Sequence, residues 1–522
     1  MSKEKFFAVT IGPIFKTINL AESTGALWAT SYMFSYLSKA ICEYLLNKQD
    51  FDIIEEDIIV PYYPKDIAGD AADADAIVSD GVGRFPDHII FRAKKFELKD
   101  FGSLRKAVIQ SVSDTFQIDF DYLMQYLFIA CVAFNIDTEK NENPILASSL
   151  ALDSLELMQP IIRFENTNRI VAAVTNRQIR DLPLTNNFSN WSLLSENGNI
   201  RDIESIADTS NNDPVRKTLK KYDYYAVVRS DADNVSKIIS MLDVNELRCF
   251  SRDCVSYCSK IAELVRSFNG ATIYAGGDDL LALMPAESSS GKTVFHFAKE
   301  AKECFNKAFE TYIDKIKKRN SERSEDGDKI PVPSLSLGIN ICYSKFPLYQ
   351  ALSDSAALLF DYAKIKCGKD CVVARLQKHS GQSECLVFKG EDSLADFIKF
   401  LEERPQSFDE GLLHSVVYAF CSFAPFFTSF NAITAVDPNS VRELFRNMFD
   451  SSIHVDSIYS NYLYEILPNF YYRLLEKADI QVFTEAEGVL SKRSGQDANA
   501  VRAMEFVLRI AKFYIEKRGD RD

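Results

Sequence analysis

Residues 271–284 read ATIYAGGDDLLALM, two short apolar runs joined by Gly276, Gly277, Asp278 and Asp279. No other stretch restricts the fold as strongly. Runs this short suit strands, and paired glycines between them permit positive φ in a tight turn, so the segment is expected to be an antiparallel hairpin. A hairpin alone is marginal in water and needs partner strands and a covering layer. The flanking sequence offers both. Residues 222–230 (YDYYAVVRS) read as a strand that ends at Asp231-Ala232-Asp233-Asn234, and a helix covers about 244–268. Beyond the hairpin come a helix (about 291–316), a charged loop, a strand at 334–343, a helix at 348–366 and a strand at 371–376.

The same order occurs earlier in the chain. Residues 5–14 (KFFAVTIGPI) read as a strand ending at Gly12-Pro13, 25–47 as a helix, 57–63 and 88–94 as strands, and 103–117 as a second helix. The segment between those two strands is rich in Gly, Ala and Asp, as a loop would be. Each unit follows the β-α-β-β-α ferredoxin-like pattern that palm domains use, and two of them suggest an internal duplication. The expected fold class is α+β: two ferredoxin-like palm domains of nucleotide cyclase/polymerase type, with a helical insertion and a helical C-terminal domain. The expected boundaries are a degenerate first palm at 1–117, a mainly helical inter-palm domain at 118–217, a second palm at 218–384 and a helical domain at 385–522. Within these, 195–215 reads as a polar linker or boundary. The apolar stretch 415–434, which contains Pro425, reads as a core or interface segment.

A chain of 522 residues is too long for one compact core. With 47% hydrophobic and 26% charged residues it has ordinary globular composition, and no apolar run is long enough to span a bilayer. The N-terminal apolar run is short and broken by Pro13, so it reads as a strand and not as a signal peptide. Eleven cysteines with no C-x-x-C pair fit reduced thiols and a cytoplasmic location. Cys254 and Cys258 stand i,i+4 in an expected helix, but no second pair at zinc spacing joins them, so no zinc is expected. The net charge of −14 argues that any RNA contact is shared with other subunits. The five histidines are dispersed, and no G-x-S-x-G, Walker-type or paired-histidine motif occurs.

The acidic residues point to chemistry on phosphates. Attack by a 3′-hydroxyl on an α-phosphate, with pyrophosphate leaving, is served by two divalent cations held by carboxylates from two rigid backbone positions. Asp231 and Asp233 alternate at the end of one strand, so both face one side. Asp278 and Asp279 stand at the hairpin tip, where Gly276 and Gly277 let a phosphate approach the backbone. A lone G-G-D-D is an ordinary hairpin turn, and a lone D-x-D is often a solvated strand end. Their joint occurrence, in this order and inside one α/β unit, points to a metal site, in which the turn would carry Asp278 and Asp279, the expected catalytic residues, beside Asp231. Magnesium or manganese suits such an oxygen-rich site. In 362–371 (YAKIKCGKDC), Lys364 and Lys369 flank Gly368 after a helix. A lysine there either reaches a triphosphate or complements the dipole of the helix C-terminus.

These residues resemble the large polymerase/cyclase-like subunit (the "Cas-ten" family, Cmr-type) of type III-B CRISPR effector complexes. The resemblance rests on IGPIFKTINLAESTGALWATSYMFSYL with its Leu27–Tyr32 run, on GRFPDHIIF at 83–91, and on YYAVVRSDADN, YAGGDDLLALMP and SLGINICYSKFPLYQAL…AKIKCGKDCVVARLQKHSG. It implies two nucleoside triphosphates between the palms, ATP as substrate, activation by target RNA paired to a guide, and a cyclic oligoadenylate messenger in antiviral defence. It implies metal on Asp231, Asp278 and Asp279, and nucleotide contacts from Asp233, Asn234, Gly276, Gly277, Lys364 and Lys369. The implied partners are other subunits of the complex, with guide and target RNA, and no membrane. The chain departs from the family in three ways. It has no His-Asp dipeptide, so no nuclease activity and no DNA cleavage are expected. Only Cys131 lies in the region that often carries a zinc motif. Ala232 stands where the family often has Gly. The chain is also short, which leaves room for a linear dinucleotide or AMP joined to another small molecule. Two other readings remain: a free-standing diguanylate-cyclase-like enzyme, against which Leu280 replaces the usual aromatic, and a non-catalytic scaffold.

Overall fold

The computed structural model describes residues 3–63, 86–137, 142–158, 170–172, 200–322, 329–378, 383–403, 410–433, 437–449, 457–484, 488–489 and 496–517. The first sheet contains β1 (Lys3–Gly12), β2 (Ile58–Val60), β3 (His88–Arg92) and β4 (Phe128–Asp137), in the order β2-β3-β1-β4. Strand β1 runs antiparallel to β3 (Thr10 opposite His88) and to β4 (Lys3 opposite Asp137 through Gly12 opposite Phe128). Helix α1 (Thr24–Asn47) is capped by Ser23, whose hydroxyl accepts from the Ala26 amide at 3.2 Å. It packs beside α2 (Phe101–Phe116) on this sheet.

The second sheet repeats that order. Strands β5 (Tyr224–Asp233), β6 (Ala271–Gly276), β7 (Asp279–Pro285) and β8 (Ser334–Tyr343) are arranged β6-β7-β5-β8. This matching order supports the duplication read from the sequence. The sheet then continues through β9 (Cys371–Gln377), β10 (Ser383–Lys389), β11 (Ile480–Thr484) and β12 (Gly488–Val489). Most of β1 and nearly all of β5 are buried residue after residue, which is why both read as continuous apolar runs instead of alternating ones.

Three boundaries move. The first palm does not close at 117, because ten residues of β4 complete its sheet. The chain beyond 384 is helical in large part, yet β10 and β11 pair onto the second sheet, so the second palm and the C-terminal region share one sheet. Part of 195–215 is packed structure: the short helix Ile203–Ala207 touches β5 and β7, and Arg201 donates to the Asn269 carbonyl at 2.8 Å. The Gly/Ala/Asp-rich loop falls mostly outside the described residues, as does much of the expected inter-palm helical domain.

The expected helix 348–366 is α-helical over Leu348–Ala357 and π-helical over Leu358–Lys366. It lies tight on β8. A Cβ on Gly338 would stand 2.7 Å from the Leu359 backbone nitrogen and 2.9 Å from the Ser355 carbonyl. A small apolar cluster (Leu358, Leu359, Ala363, Cys367, Cys371, Val373, Cys385, Val387) fastens the π segment to β9 and β10. Elsewhere one continuous core runs through both palms and the C-terminal helices. The apolar stretch around Pro425 is a helix, Glu410–Ile433, that buries Phe420 and Phe427 and leaves Tyr418 and Phe426 exposed.

Candidate metal and nucleotide site

The hairpin closes as its sequence requires. Gly276 pairs with Asp279, leaving Gly277 and Asp278 as a two-residue loop. Gly277 has φ +66°, a left-handed value at the first loop residue where side chains are disfavoured. Strand β7 pairs with β5 (Leu280 opposite Ser230), so the tip stands beside the end of β5. As a result Asp231, Asp278 and Asp279 offer carboxylate oxygens that all lie within 4.8 Å of one another. The structure thus brings together the three residues expected to bind metal. The thiol of Cys258, buried on the helix Val244–Ser267, donates to the Gly277 carbonyl at 3.6 Å and supports the turn from below.

Three carboxylates this close repel one another. Burial, then the charge of Asp279, pushes Asp278 up to about 8. Burial, then Asp87, pushes Asp279 up to about 7, with Arg229 opposing. The cluster therefore wants positive charge. Hard oxygen donors in this number fit a divalent cation such as Mg²⁺ or Mn²⁺, and Asp231, Asp278 and Asp279 would hold it.

Lys364 stands against the cluster. Its ammonium contacts the Asp231 carboxylate, donates to the Ala232 carbonyl at 3.0 Å and stands 3.8 Å from Asp233 Oδ1. Burial, then the charge of Lys369, lowers it to about 8, while contact with Asp231 favours its charged form.

Asp233 takes a different place from the one expected. Its Oδ2 accepts from Ser336 Oγ (2.6 Å), Ser334 Oγ (3.0 Å) and the Asp370 amide (3.0 Å). At 1% exposure it holds the 368–370 loop against the sheet and is not free to meet a nucleotide. Its Oδ1 is buried with no hydrogen-bond partner among the described residues. Asn234 has φ +61° and accepts from Lys369 Nζ at 3.1 Å, so Lys369 sits one step outside the cluster. Lys302, buried on the helix Val294–Ala308, anchors the same loop through Asp370 Oδ1 at 2.6 Å. Beyond this loop opens a cleft of about 1010 Å³, lined by Asn234, Lys302, Lys369 and Lys389 among others.

Two residues the sequence reading passed over lie at the same place. Arg229 is buried two positions before Asp231, on the same face of β5. It donates to Ser355 Oγ (3.1 Å) and to Asn19 Oδ1 of the first palm (3.4 Å), and its guanidinium stands 5.3 Å from the Phe15 ring. Asp87, just before β3, faces Asp279 across a pocket between the palms. The signal for Asp87 was present: FPDHIIF and GDDLLAL both place an aspartate at the foot of a returning strand.

Comparison with known proteins agrees with this layout. The Cas10/Cmr2 second palm domain matches residues 224–373, and the N-terminal domain of CRISPR-associated protein Cmr2 matches 6–118. The two matched segments fall on the second palm and on the first. The Cmr2 subunit of the Pyrococcus furiosus CRISPR Cmr system is 30% identical over 186 residues, covering 30% of this chain and 19% of that relative. This chain therefore matches about a fifth of the length of that Cmr2. Crystal structures of a Csm1–Csm4 cassette share the fold. The one in complex with cA4 has a TM-score of 0.54 at 12% identity, and the one in complex with AMPPNP 0.56 at 12% identity. Each match covers 98% of this chain and 70% of the other. The cluster of carboxylates lies wholly within the segment that matches the Cas10/Cmr2 second palm.

Proposed function

We propose that this chain is the large subunit of a type III CRISPR effector complex, of the Cmr (III-B) kind, and that its second palm joins nucleotides when target RNA pairs with the guide. The observation that carries the reading is the convergence of Asp231, Asp278 and Asp279 at the mouth between two palms of the Cas10/Cmr2 family. The substrate is ATP. A ribose hydroxyl of the acceptor attacks the α-phosphate, a new oxygen–phosphorus bond forms, and the bond to pyrophosphate breaks. The hydroxyl proton passes to solvent. Divalent cations, when bound, neutralise the phosphates and sharpen the nucleophile.

The chain's own residues position these groups. Asp231, Asp278 and Asp279 supply the negative charge that recruits cations. Gly277, without a side chain, leaves the turn open to phosphate. Lys364, held at the cluster, is a point charge for the triphosphate. Asp233, Ser334 and Ser336 fix the loop that follows Lys364. The product is cyclic oligoadenylate or a related AMP conjugate that acts as a signal. Other subunits of the complex, with guide and target RNA, are the partners, in line with the acidic net charge of −14.

The test is to incubate the assembled complex with ATP, magnesium and target RNA, then measure pyrophosphate and nucleotide products. Product should appear only with target RNA and vanish in Asp278→Ala/Asp279→Ala. Turnover that survives the double substitution would remove the second palm from the reaction.

A further inference from the structure

We propose that Cys367 and Cys371 are a redox modification site: hydrogen peroxide joins them in a disulfide that pulls the end of the π-helical segment onto β9 and draws Lys364 away from Asp231. The pair brackets the loop Gly368-Lys369-Asp370, whose three residues all have left-handed backbone, at φ +81°, +72° and +48°. Only the first is a glycine, so the loop is strained. The Asp233 carboxylate holds it at the Asp370 amide, and Lys302 holds it at the Asp370 carboxylate. The Ala363 carbonyl accepts from the Lys369 amide at 2.9 Å. A strained loop between two anchored ends responds when one end moves.

The two thiols already meet. Cys367 caps the π segment Leu358–Lys366, and Cys371 opens β9. Both lie in the small apolar cluster, in hydrogen-bond contact with each other. Cys371 also donates to the carbonyl of Ala363, the residue before Lys364, at 3.5 Å. The third thiol of the cluster, Cys385, is out of reach of Cys371. It lies four positions along β10 from Lys389, the residue opposite Cys371, which is ~13 Å of strand.

The pair is asymmetric. The hydrogen bond with Cys371 lowers the Cys367 thiol below its ordinary value; burial opposes this, and the charges of Lys389 and Lys366 add to the lowering. The same contact, then burial, pushes the Cys371 thiol up. Cys367, 6% exposed, is therefore the thiolate that meets the oxidant, and Cys371, fully buried, resolves it. Hydrogen peroxide is nearly as small as water, and the wide cleft lined by Gly368, Lys369 and Asp370 brings solvent to the loop. In the first step Cys367 Sγ takes one peroxide oxygen, the O–O bond breaks, and hydroxide leaves with the thiol proton as water. In the second, Cys371 Sγ attacks Cys367 Sγ, the S–O bond breaks, and the hydroxyl leaves with the Cys371 proton as a second water. Two thiols are oxidised and one peroxide is reduced.

An S–S bond is about 2.05 Å long, shorter than any thiol hydrogen bond, so closing it moves one sulfur. Cys371 is tied into the sheet opposite Lys389, and its neighbour Val372 is tied to Leu337. Cys367, at the end of a helix, is the one that yields. Lys364 lies one turn before it, so its contacts with Asp231 and the Ala232 carbonyl are lost as the turn shifts.

The test treats the full chain with hydrogen peroxide and digests it with trypsin without reductant. Cleavage after Lys366, Lys369 and Arg375 falls between the two cysteines. The disulfide therefore joins peptides 367–369 and 370–375 into one species, two hydrogens lighter than their sum. Amide exchange over 363–371 should rise about tenfold and return with dithiothreitol. Cys367→Ser should give neither the linked peptides nor the faster exchange. The consequence for nucleotide rests on the nucleotidyl-transfer reading: oxidised wild type should bind ATP about tenfold more weakly than reduced, and Cys367→Ser should not respond. Sulfinic acid at Cys367 without a link, a link to another cysteine, unchanged exchange in the linked protein, or an ATP response kept by Cys367→Ser overturns the proposal. So does unchanged ATP affinity in the linked protein. Reduced wild type that binds no ATP, yet forms the link with faster exchange, would sink the transfer reading and leave the disulfide standing.

Discussion

The two palms share one strand order but differ at the place where chemistry would occur. Strand β5 ends in Asp231-Ala232-Asp233, whereas β1 ends in Ile11-Gly12 and runs into Pro13. The second hairpin turns on Gly277-Asp278 in two residues, whereas β2 and β3 are separated by 27 residues between Val60 and His88. The sheet order is set by packing of apolar strands and survives the loss of carboxylates. The carboxylate cluster is set by a few polar residues at strand ends and does not. What the first palm retains is its cleft face: Phe15, Asn19, Ser31 and Asp87 all meet the second palm there.

The contrast can be broken most forcefully at Asp231. Asp231→Asn should remove a ligand the first palm never offered, lowering Mn²⁺ affinity by about a hundredfold, or ~3 kcal/mol, in paramagnetic titrations. Unchanged affinity would mean that Asp278 and Asp279 bind alone.

Gly338→Ala tests how the second palm positions Lys364. The new methyl would press on the Leu359 and Ser355 backbone, and overpacking of this kind costs about 1–3 kcal/mol. Reduced stability together with weaker nucleotide binding is expected, whereas a neutral effect would show that the 348–366 helix can slide.

The acid cluster also predicts a pH dependence. Asp278 and Asp279 have folded values of about 8 and about 7, above the ~3.9 of an unfolded aspartate. Without cations, the native state keeps protons that the unfolded chain gives up. The associated stability is therefore full below the unfolded value and is lost as pH rises through 7 to 8. Cations compete with those protons, so Mn²⁺ should raise the melting temperature more at roughly pH 8.5 than at roughly pH 6. Equal shifts would contradict the crowded cluster.

The smallest effect is expected at Ser336→Ala, which removes one bond to Asp233 and should cost about 1–2 kcal/mol. Lys364 should then bind nucleotide less tightly, with metal affinity unchanged.

Much of this was legible in the sequence because it is local. Period and turn chemistry place β5, the hairpin and the helix that carries Lys364, and Asp231 with Asp278 and Asp279 follows from neighbouring strands. What escaped is non-local. FIACVAFNID, the β4 strand, is an apolar run that periodicity alone does not separate from helix, and its role appears only on pairing with β1. IQVFT, at β11, is five residues inside a helical region and joins the sheet from about a hundred residues beyond β9. Asp233, which alternates with Asp231, was expected to meet the nucleotide. Two serines from β8 and the Asp370 amide claim it, and no spacing rule could reveal them. Arg229 and Asp87 gain meaning only where two palms meet.

The most direct test of the central claim is a mass spectrum of the products from the target-activated complex supplied with ATP and magnesium, for wild type and for Asp278→Ala/Asp279→Ala. The wild type should give an adenylate-containing product with matching pyrophosphate, and the variant neither. An identical product from both, or none from an activated wild-type complex, would contradict it.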